Sequence, residues 1–191
     1  MSENILLNRW KKLKYHDPEK VLIEFRKVEY YISNKNIDEK LRTLRTNKLK
    51  HHREGREAAI FCHGLSKSVI NTKVRFALYE SADYDFIARW VDGDTLVYTP
   101  VQLKEIVPKG INPAACLNDE INKLTKYKDS KCLVVAIHLN QTGRFNFEEL
   151  YIPKLEIAEL WIYGALKQDQ SEWFLYGNAL MTTNFHSFFY P

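Results

Sequence analysis

Hydrophobic and polar residues alternate along the middle of the chain in a way that predicts β-strands. The alternation occurs in three segments, 73–81, 85–91 and 95–107. The polar sequence between the second and third segments predicts a tight hairpin turn. Segment 131–139 is instead continuously apolar, which is typical of a strand covered on both faces. Farther on, segment 172–181 predicts a short strand, whereas segment 155–166 is compatible with either a helix or a strand.

Helical spacing of apolar residues dominates the first third of the chain. Asp17 as an N-cap followed by Pro18 predicts the start of one helix. A second helical stretch is expected from near Ile37 to Gly64, and Gly55 is a candidate break within it. These helices precede the predicted strands.

A further helix is predicted over residues 113–128, between the third and fourth strands. A helix in this place permits a parallel crossover connection, whereas the first three strands are joined tightly enough for an antiparallel meander. The core order helix, three strands, helix, strand therefore predicts an α/β domain with a mixed β-sheet flanked by helices.

The 191 residues fit a single domain, 1–191, and 45% of them are hydrophobic, which is enough for a sizeable core. We divide this domain into a basic helical region (1–50), the α/β core (51–140) and a C-terminal extension (141–191). No apolar run approaches the length of a membrane-spanning helix, so no membrane partner is expected.

Cysteine content and the opening segment both favour the cytoplasm. The start of the chain has no long apolar stretch of the kind found in secretory signals. Cys62, Cys116 and Cys132 are odd in number, and none belongs to a CxxC motif, so free thiols in a reducing compartment are expected.

Charge is distributed unevenly along the chain. Residues 1–56 contain 15 Lys and Arg against 8 Asp and Glu, a balance of +7, whereas the remainder has 13 against 16, a balance of −3. A basic third beside an acidic remainder fits polyanion binding next to an acidic site, and a solvated helix surface is the alternative. Six basic residues are assigned to nucleic-acid binding, namely Arg42, Arg45, Lys48, Lys50, Arg53 and Arg56.

The predicted hairpin brings three polar residues to one face of the sheet. A two-residue Gly93-Asp94 loop places Asp85 directly opposite Gln102, and Lys104, two residues later, shares their face. The neighbouring two-residue loop keeps this grouping, whereas a three-residue loop would separate Asp85 from the other two. The opposite face would then carry an apolar set of residues, which supports the grouping independently of the turn. These residues are Phe86, Ala88, Trp90, Val101 and Leu103.

This grouping has usable chemistry. A carboxylate oxygen beside an amide oxygen suits a hard divalent cation such as Mg²⁺ or Mn²⁺, and the backbone carbonyl of Leu103 offers a third oxygen. Such a cation would polarise a phosphoryl oxygen and generate hydroxide near neutral pH. Lys104 could hold or deprotonate a water molecule, or stabilise negative charge on a phosphate. The sequence therefore predicts phosphodiester hydrolysis.

Asp85, followed after sixteen residues by Gln102-Leu103-Lys104, resembles the motif of the PD-(D/E)XK nuclease superfamily in its variant with Gln in the acidic position. This superfamily includes restriction endonucleases, Holliday-junction resolvases and repair nucleases, and its core has the same order of helices and strands. The resemblance covers roughly residues 50–140.

The resemblance implies that Asp85 and Gln102 are metal ligands and that Lys104 is the catalytic lysine. It further implies that Glu57 matches a glutamate that many members carry on the helix before the first strand. Two positions depart from the usual pattern: Tyr84 replaces the common proline, and Gln102 supplies no negative charge.

Three functions are compatible with these features. We favour a metal-dependent endonuclease acting on DNA, because Asp85, Gln102 and Lys104 all carry usable chemistry. The alternatives are a nuclease-like protein that binds nucleic acid without cutting it and a protein-interaction module. RNA as the substrate stays open, as does a homodimer formed through the aromatic C-terminus.

Overall fold

A computed structural model of the chain describes residues 3–33, 35–36, 38–181 and 184–191, and within these ranges the side chains of Glu3, Asn4, Glu39 and Arg42 lie outside the description. Within these ranges, seven strands form one mixed sheet with helices packed against both faces. The expected α/β class, with a mixed sheet flanked by helices, is confirmed.

The helices and strands follow one another in a simple order. The α-helices are α1 (Glu3–Lys11), α2 (Pro18–Ser33), α3 (Glu39–Arg42), α4 (Lys50–Ser68) and α5 (Leu117–Lys123). Short 3₁₀ turns cover Asn47–Leu49, Leu124–Lys126 and Phe147–Glu149. The strands are β1 (Arg75–Leu78), β2 (Phe86–Asp92), β3 (Thr95–Ile106), β4 (Ser130–Leu139), β5 (Ile157–Ala165), β6 (Glu172–Gly177) and β7 (Asn184–Phe189).

Strand order in the sheet is the order of the strands in the chain, from β1 to β7. β3 and β4 are parallel, as are β4 and β5, whereas the other neighbours are antiparallel. The connection from β3 to β4 contains α5. The C-terminal residues therefore extend the sheet of the predicted core by three strands.

The β2–β3 hairpin has the register expected from its turn. Asp92 pairs with Thr95, so Gly93-Asp94 is the two-residue loop, and Gly93 has a φ of +56°. Phe86 pairs with Val101, and both are buried against α4. The apolar face of the hairpin is thus the one that covers the core, and the polar face is the one that carries Asp85.

Two apolar cores lie on the two faces of the sheet. On one face, α4 packs against alternate residues of the strands, and α2 covers α4 from outside through the buried Leu22. At Gly64 of α4 a Cβ atom would lie 2.6 Å from Phe188, so the absence of a side chain lets the helix approach the last strands closely. On the other face, α5 contributes the buried Ile121 to the second core.

The N-terminal region belongs to the folded body. The carboxylate of Asp17 accepts a hydrogen bond from the Glu19 N–H at 3.1 Å, which confirms Asp17 as the N-cap of α2. The backbone of His16 exchanges two hydrogen bonds with Phe76, of 2.7 and 3.2 Å, and so covers the outer edge of β1. None of the described helices is long and apolar enough to cross a membrane.

Several predicted boundaries were wrong. The helix expected from Ile37 to Gly64 is interrupted around Leu44, which has a φ of +56°, whereas Gly55 lies within the continuous α4; Ile37 itself is outside the described residues. The helix expected from Pro113 begins at Leu117. The ambiguous segment 155–166 is strand β5.

Candidate functional site

Strands β2 and β3 separate at Asp85. The N–H of Asp85 donates a hydrogen bond to the carbonyl of Val101 at 2.9 Å, next to the Phe86–Val101 pair. From there to Ile106, β3 pairs with β4 while the chain before β2 turns away. The second half of β3 therefore has one side that is not covered by β2, and Gln102 and Lys104 lie on this half.

The Asp85 carboxylate, the Gln102 amide and the backbone of Leu103 converge at this point. Asp85 Oδ2 accepts hydrogen bonds from the Leu103 N–H, at 2.7 Å, and from Gln102 Nε2. Gln102 Nε2 also donates to the Leu103 carbonyl at 3.1 Å. The sequence-based prediction that these groups lie together on the hairpin agrees with this geometry.

The Asp85 side chain has two oxygens with different surroundings. Oδ2 satisfies the Leu103 N–H at the place where β2 no longer supplies a partner, which is a structural role. Oδ1 accepts no hydrogen bond from the part of the chain that the structure describes. One oxygen of the carboxylate therefore stays available for a ligand.

Burial shifts the pKa values of both Asp85 and Lys104. Burial raises the pKa of the Asp85 carboxyl above its usual value, and the nearby Glu54 carboxylate adds to the rise, although the Leu103 N–H, Lys104 and Lys50 oppose it. Burial also lowers the pKa of the Lys104 ammonium, as does the positive charge of Lys126. The folded protein therefore disfavours the charged form of each group. Shifted pKa values of this kind are common at functional sites.

Tyr127 contacts the far end of the Gln102 amide and was not identified from the sequence. Its hydroxyl donates to Gln102 Oε1 at 3.4 Å, and both residues are buried. Tyr127 directly follows the 3₁₀ turn Leu124–Lys126, and the ammonium of Lys126 lies 5.0 Å from the centre of its ring. Nothing in the local sequence indicates this contact, because it depends on how the α5 region packs against the sheet.

Glu57 lies in a different cluster from the one predicted. It accepts a hydrogen bond from the Tyr163 hydroxyl at 2.7 Å, and its Oε2 lies 2.9 Å from His138 Nδ1, without hydrogen-bond geometry. Burial alone would raise the pKa of Glu57, but the interactions with His138, Arg56 and Tyr163 outweigh it and lower the pKa to about 2. The Glu57 carboxylate thus interacts with His138 of β4 and Tyr163 of β5. We therefore correct its assignment as a ligand beside Asp85.

Glu54 is the carboxylate of α4 whose charge acts on Asp85. It lies one turn before Glu57 and forms an ion pair of 3.3 Å with Lys50. Of the two glutamates, Glu54 is therefore the one whose charge reaches the hairpin, and the sequence analysis did not select it.

The oxygen donors at the hairpin fit a divalent cation shared with a substrate. Within the described ranges, no group of three His, Cys, Asp or Glu side chains is arranged to hold a metal ion. The set beside Asp85 instead combines one carboxylate with the Gln102 amide and the Leu103 carbonyl, and the amide turns its nitrogen, not its oxygen, toward the other two groups. Mg²⁺ commonly binds through one or two carboxylates together with substrate phosphates, and this donor set is of that kind.

No protein-family model, curated protein or solved structure matches the chain. A functional assignment must therefore be argued from the chemistry of the site.

The six basic residues predicted to bind nucleic acid do not share one free surface. Arg45 pairs with Glu105, and Lys50 lies 2.6 Å from Glu80. Arg56 is largely buried and pairs with Glu29 at 3.0 Å.

Two of the other three predicted residues remain as candidates for phosphate contact. Lys48 is exposed and Arg53 is half-buried, and neither forms an ion pair within the described ranges. The side chain of Arg42 lies outside the described residues. Closer to the hairpin, Lys123 and Lys126 are the cations whose charges act on Lys104, and neither was predicted from the sequence.

Proposed function

We propose that this protein is a nuclease that hydrolyses phosphodiester bonds of DNA with Mg²⁺ or Mn²⁺. The observation that carries the proposal is the placement of Asp85, Gln102 and Lys104 on one face where β2 and β3 separate. The element order α4-β1-β2-β3-α5-β4 supports the proposal, which includes membership of the PD-(D/E)XK superfamily.

In this proposal the chain holds the cation through oxygens of the hairpin. Asp85 supplies its free carboxylate oxygen, and Gln102 and Leu103 supply an amide and a backbone oxygen. Glu54, rather than Glu57, adds negative charge from α4. The bound cation would neutralise charge on the scissile phosphate and lower the pKa of a water molecule.

Lys104 acts on the water or on the phosphate. Because burial and Lys126 lower the pKa of its ammonium, Lys104 loses its proton more readily than an exposed lysine does. In its charged form it stabilises the negative charge that develops on the phosphate. Either action requires only that the side chain stay on the same face as Asp85.

Cations around α5 then contact the DNA backbone. Lys126 forms no ion pair among the described residues, and its charge acts on Lys104. A phosphate group bound beside Lys104 would thus be met by two lysines rather than by the paired arginines of the first third. Backbone contacts of this kind position a duplex without reading its sequence.

Binding without cleavage is the second candidate, and a specific contact favours it. Gln102 Nε2 and the Leu103 N–H both donate to Asp85 Oδ2, so the hairpin is satisfied without any cation. A protein that had lost activity could keep this arrangement for its stability alone.

Cleavage assays separate the two candidates. Plasmid, linear and branched DNA and single-stranded RNA are incubated with Mg²⁺, with Mn²⁺ and with a chelator. We expect metal-dependent cleavage of DNA that falls by at least about 100-fold in Lys104→Ala. The matched control, Lys109→Ala, removes an exposed lysine of the next loop and keeps the parent rate.

The remaining outcomes of these assays decide against either the nuclease activity or the proposed site. Salt-sensitive DNA binding without cleavage under any metal condition would support the second candidate. Cleavage by Lys104→Ala at the parent rate would show that the proposed site is wrong.

A further inference from the structure

The two ends of the Gln102 amide have chemically different neighbours. Nε2 donates to Asp85 Oδ2 and to the Leu103 carbonyl, so this end faces oxygen atoms. Oε1 faces the hydroxyl of Tyr127 at 3.4 Å. Gln102 is 8% exposed and Tyr127 is 6% exposed, so both side chains are largely buried.

A divalent cation beside Asp85 requires the opposite orientation of this amide. An amide nitrogen that carries two hydrogens cannot ligate Mg²⁺ or Mn²⁺, whereas the amide oxygen can. When Gln102 presents its oxygen toward Asp85, its NH₂ group takes the place of Oε1 and faces Tyr127. A hydroxyl can donate one hydrogen bond and accept others, so Tyr127 suits both orientations.

We propose that Tyr127 is a positioning residue that stabilises the Gln102 orientation in which the amide oxygen faces a divalent cation at Asp85. This inference rests on the proposed function, because it assigns a role at the same site. It concerns a residue of the α5 region, which no feature of the hairpin motif indicates.

Tyr127 matters more to the orientation that binds a cation than to the other one. In the orientation of the structure, the hydroxyl adds a contact of 3.4 Å to an amide that already donates two hydrogen bonds. In the reversed orientation, the NH₂ group no longer donates to Asp85 Oδ2 or to the Leu103 carbonyl, and it donates to the Tyr127 hydroxyl instead. Because an unsatisfied buried donor is costly, loss of the hydroxyl should weaken cation binding more than it weakens the fold.

Mn²⁺ binding tests this role without relying on activity. The protein is titrated with Mn²⁺, and free Mn²⁺ is followed by electron paramagnetic resonance. We expect Tyr127→Phe to bind about tenfold more weakly than the parent, since one unsatisfied donor is worth about that factor. The matched control is Tyr163→Phe, which removes a buried hydroxyl that donates to Glu57 at 2.7 Å, and its Mn²⁺ affinity should equal that of the parent.

The Gln102→Glu variant shows whether Tyr127 acts through the Gln102 amide. In Gln102→Glu the side chain presents oxygen in either orientation, so there is no orientation left to select. We expect Gln102→Glu with Tyr127→Phe to bind Mn²⁺ as tightly as Gln102→Glu alone. A tenfold loss in this background as well would assign Tyr127 a purely structural role and overturn the inference.

The same titrations distinguish failure of the inference from failure of the proposed function. Equal affinities of the parent and Tyr127→Phe would refute the positioning role while leaving the cation site in place. Absence of saturable Mn²⁺ binding in both the parent and Gln102→Glu would remove the cation site, and the positioning role with it.

Discussion

Asp85 is the residue on which the account depends, and it is held in an unfavourable state. Burial raises the pKa of its carboxyl, so the ionised form that a cation requires is less stable in the folded protein than in the unfolded chain. One of its oxygens caps the Leu103 N–H, which the amide oxygen of an asparagine could also do, although less strongly. The negative charge is therefore better explained by a ligand than by the fold.

The charge of Asp85 should accordingly cost stability. Because its pKa is raised, the contribution of Asp85 to stability is greatest at low pH and is lost as the pH rises through the folded-state pKa. Asp85→Asn should have a Tm at pH 7 equal to or above that of the parent, with the difference narrowing as the pH falls. Thermal unfolding followed by circular dichroism measures this, with the exposed Asp83→Asn as a control of unchanged Tm. A clear loss of stability at pH 7 would mean that the charge itself supports the fold.

Glu57 should show the opposite dependence on pH. Its pKa is lowered from 4.5 to about 2, so its contribution is present above pH 4.5 and is lost as the pH falls toward 2. Its side chain is only 15% exposed, so solvent screens it little. Glu57→Gln should reduce the free energy of unfolding at pH 7 by roughly 2–3 kcal/mol.

Urea unfolding at pH 7 and pH 3 measures the effect of Glu57. The difference between the parent and Glu57→Gln should be smaller at pH 3, whereas the exposed Glu148→Gln should match the parent at both values. A difference that stays constant with pH would show that hydrogen bonding or packing, rather than charge, accounts for the loss.

Residue patterns predicted the hairpin grouping but not which glutamate of α4 acts on it. The alternation of apolar residues fixes which face of a strand is buried, so Asp85, Gln102 and Lys104 could be placed together. Which side of α4 faces the hairpin depends instead on how the helix rotates to bury its apolar residues. Glu54 and Glu57 are one turn apart, and only packing decides between them.

At the scale of elements, the β2–β3 turn fixes the register on which the site depends. Gly93 has a φ of +56°, a conformation that glycine adopts without the steric cost that a Cβ atom introduces. No atom lies within 4 Å of the place where a Cβ would be. The cost of a side chain there would therefore come from the backbone alone.

Gly93→Ala should reduce the free energy of unfolding by about 1 kcal/mol. Gly110→Ala is the matched control, because a Cβ at Gly110 would also meet no atom within 4 Å and its φ is not positive. Urea unfolding of both variants should show a loss in the first and little change in the second. Equal losses would contradict the role assigned to the turn.

The pattern of apolar residues predicted those strands that depend on local sequence. It predicted less well the elements whose structure depends on tertiary packing. The first four strands follow from alternation or continuous apolarity, and β5 could not be distinguished from a helix because it is apolar on both faces. Gly55 was a candidate helix break, but it lies within the continuous α4, where a Cβ atom would be at an ordinary contact distance of 3.5 Å from Leu78 of β1. The aromatic tail, which we considered as a homodimer interface, forms β7, and its Phe188 and Tyr190 are buried in the core.

At the scale of the whole molecule, the basic first third is folded against the rest of the chain. Arg45 pairs with Glu105 of β3, and Arg26 donates to the backbone carbonyls of Asp169 and Gln170, between β5 and β6. Lys73 before β1 pairs with Asp17 at 2.8 Å. Much of the charge asymmetry along the sequence is thus used within the fold, and the cations near Lys104 become the better candidates for contact with DNA.

The sheet itself joins the candidate site to the rest of the molecule. The site lies near one edge, at β2 and β3, whereas Glu57 joins α4 to β4 and β5 on the opposite face. Substitutions in the Glu57 cluster should therefore change stability, and those at the hairpin should change chemistry. Comparing the two groups of variants separates loss of function from loss of fold.

The most direct test of the account is DNA cleavage by the parent and by Asp85→Asn, measured in parallel with Mg²⁺ and with a chelator. Circular dichroism should show that both proteins are folded and that the variant is at least as stable as the parent. The account predicts cleavage by the parent with Mg²⁺, none with the chelator, and none by the variant. Cleavage by Asp85→Asn at the parent rate, or no metal-dependent cleavage by the parent, would contradict it.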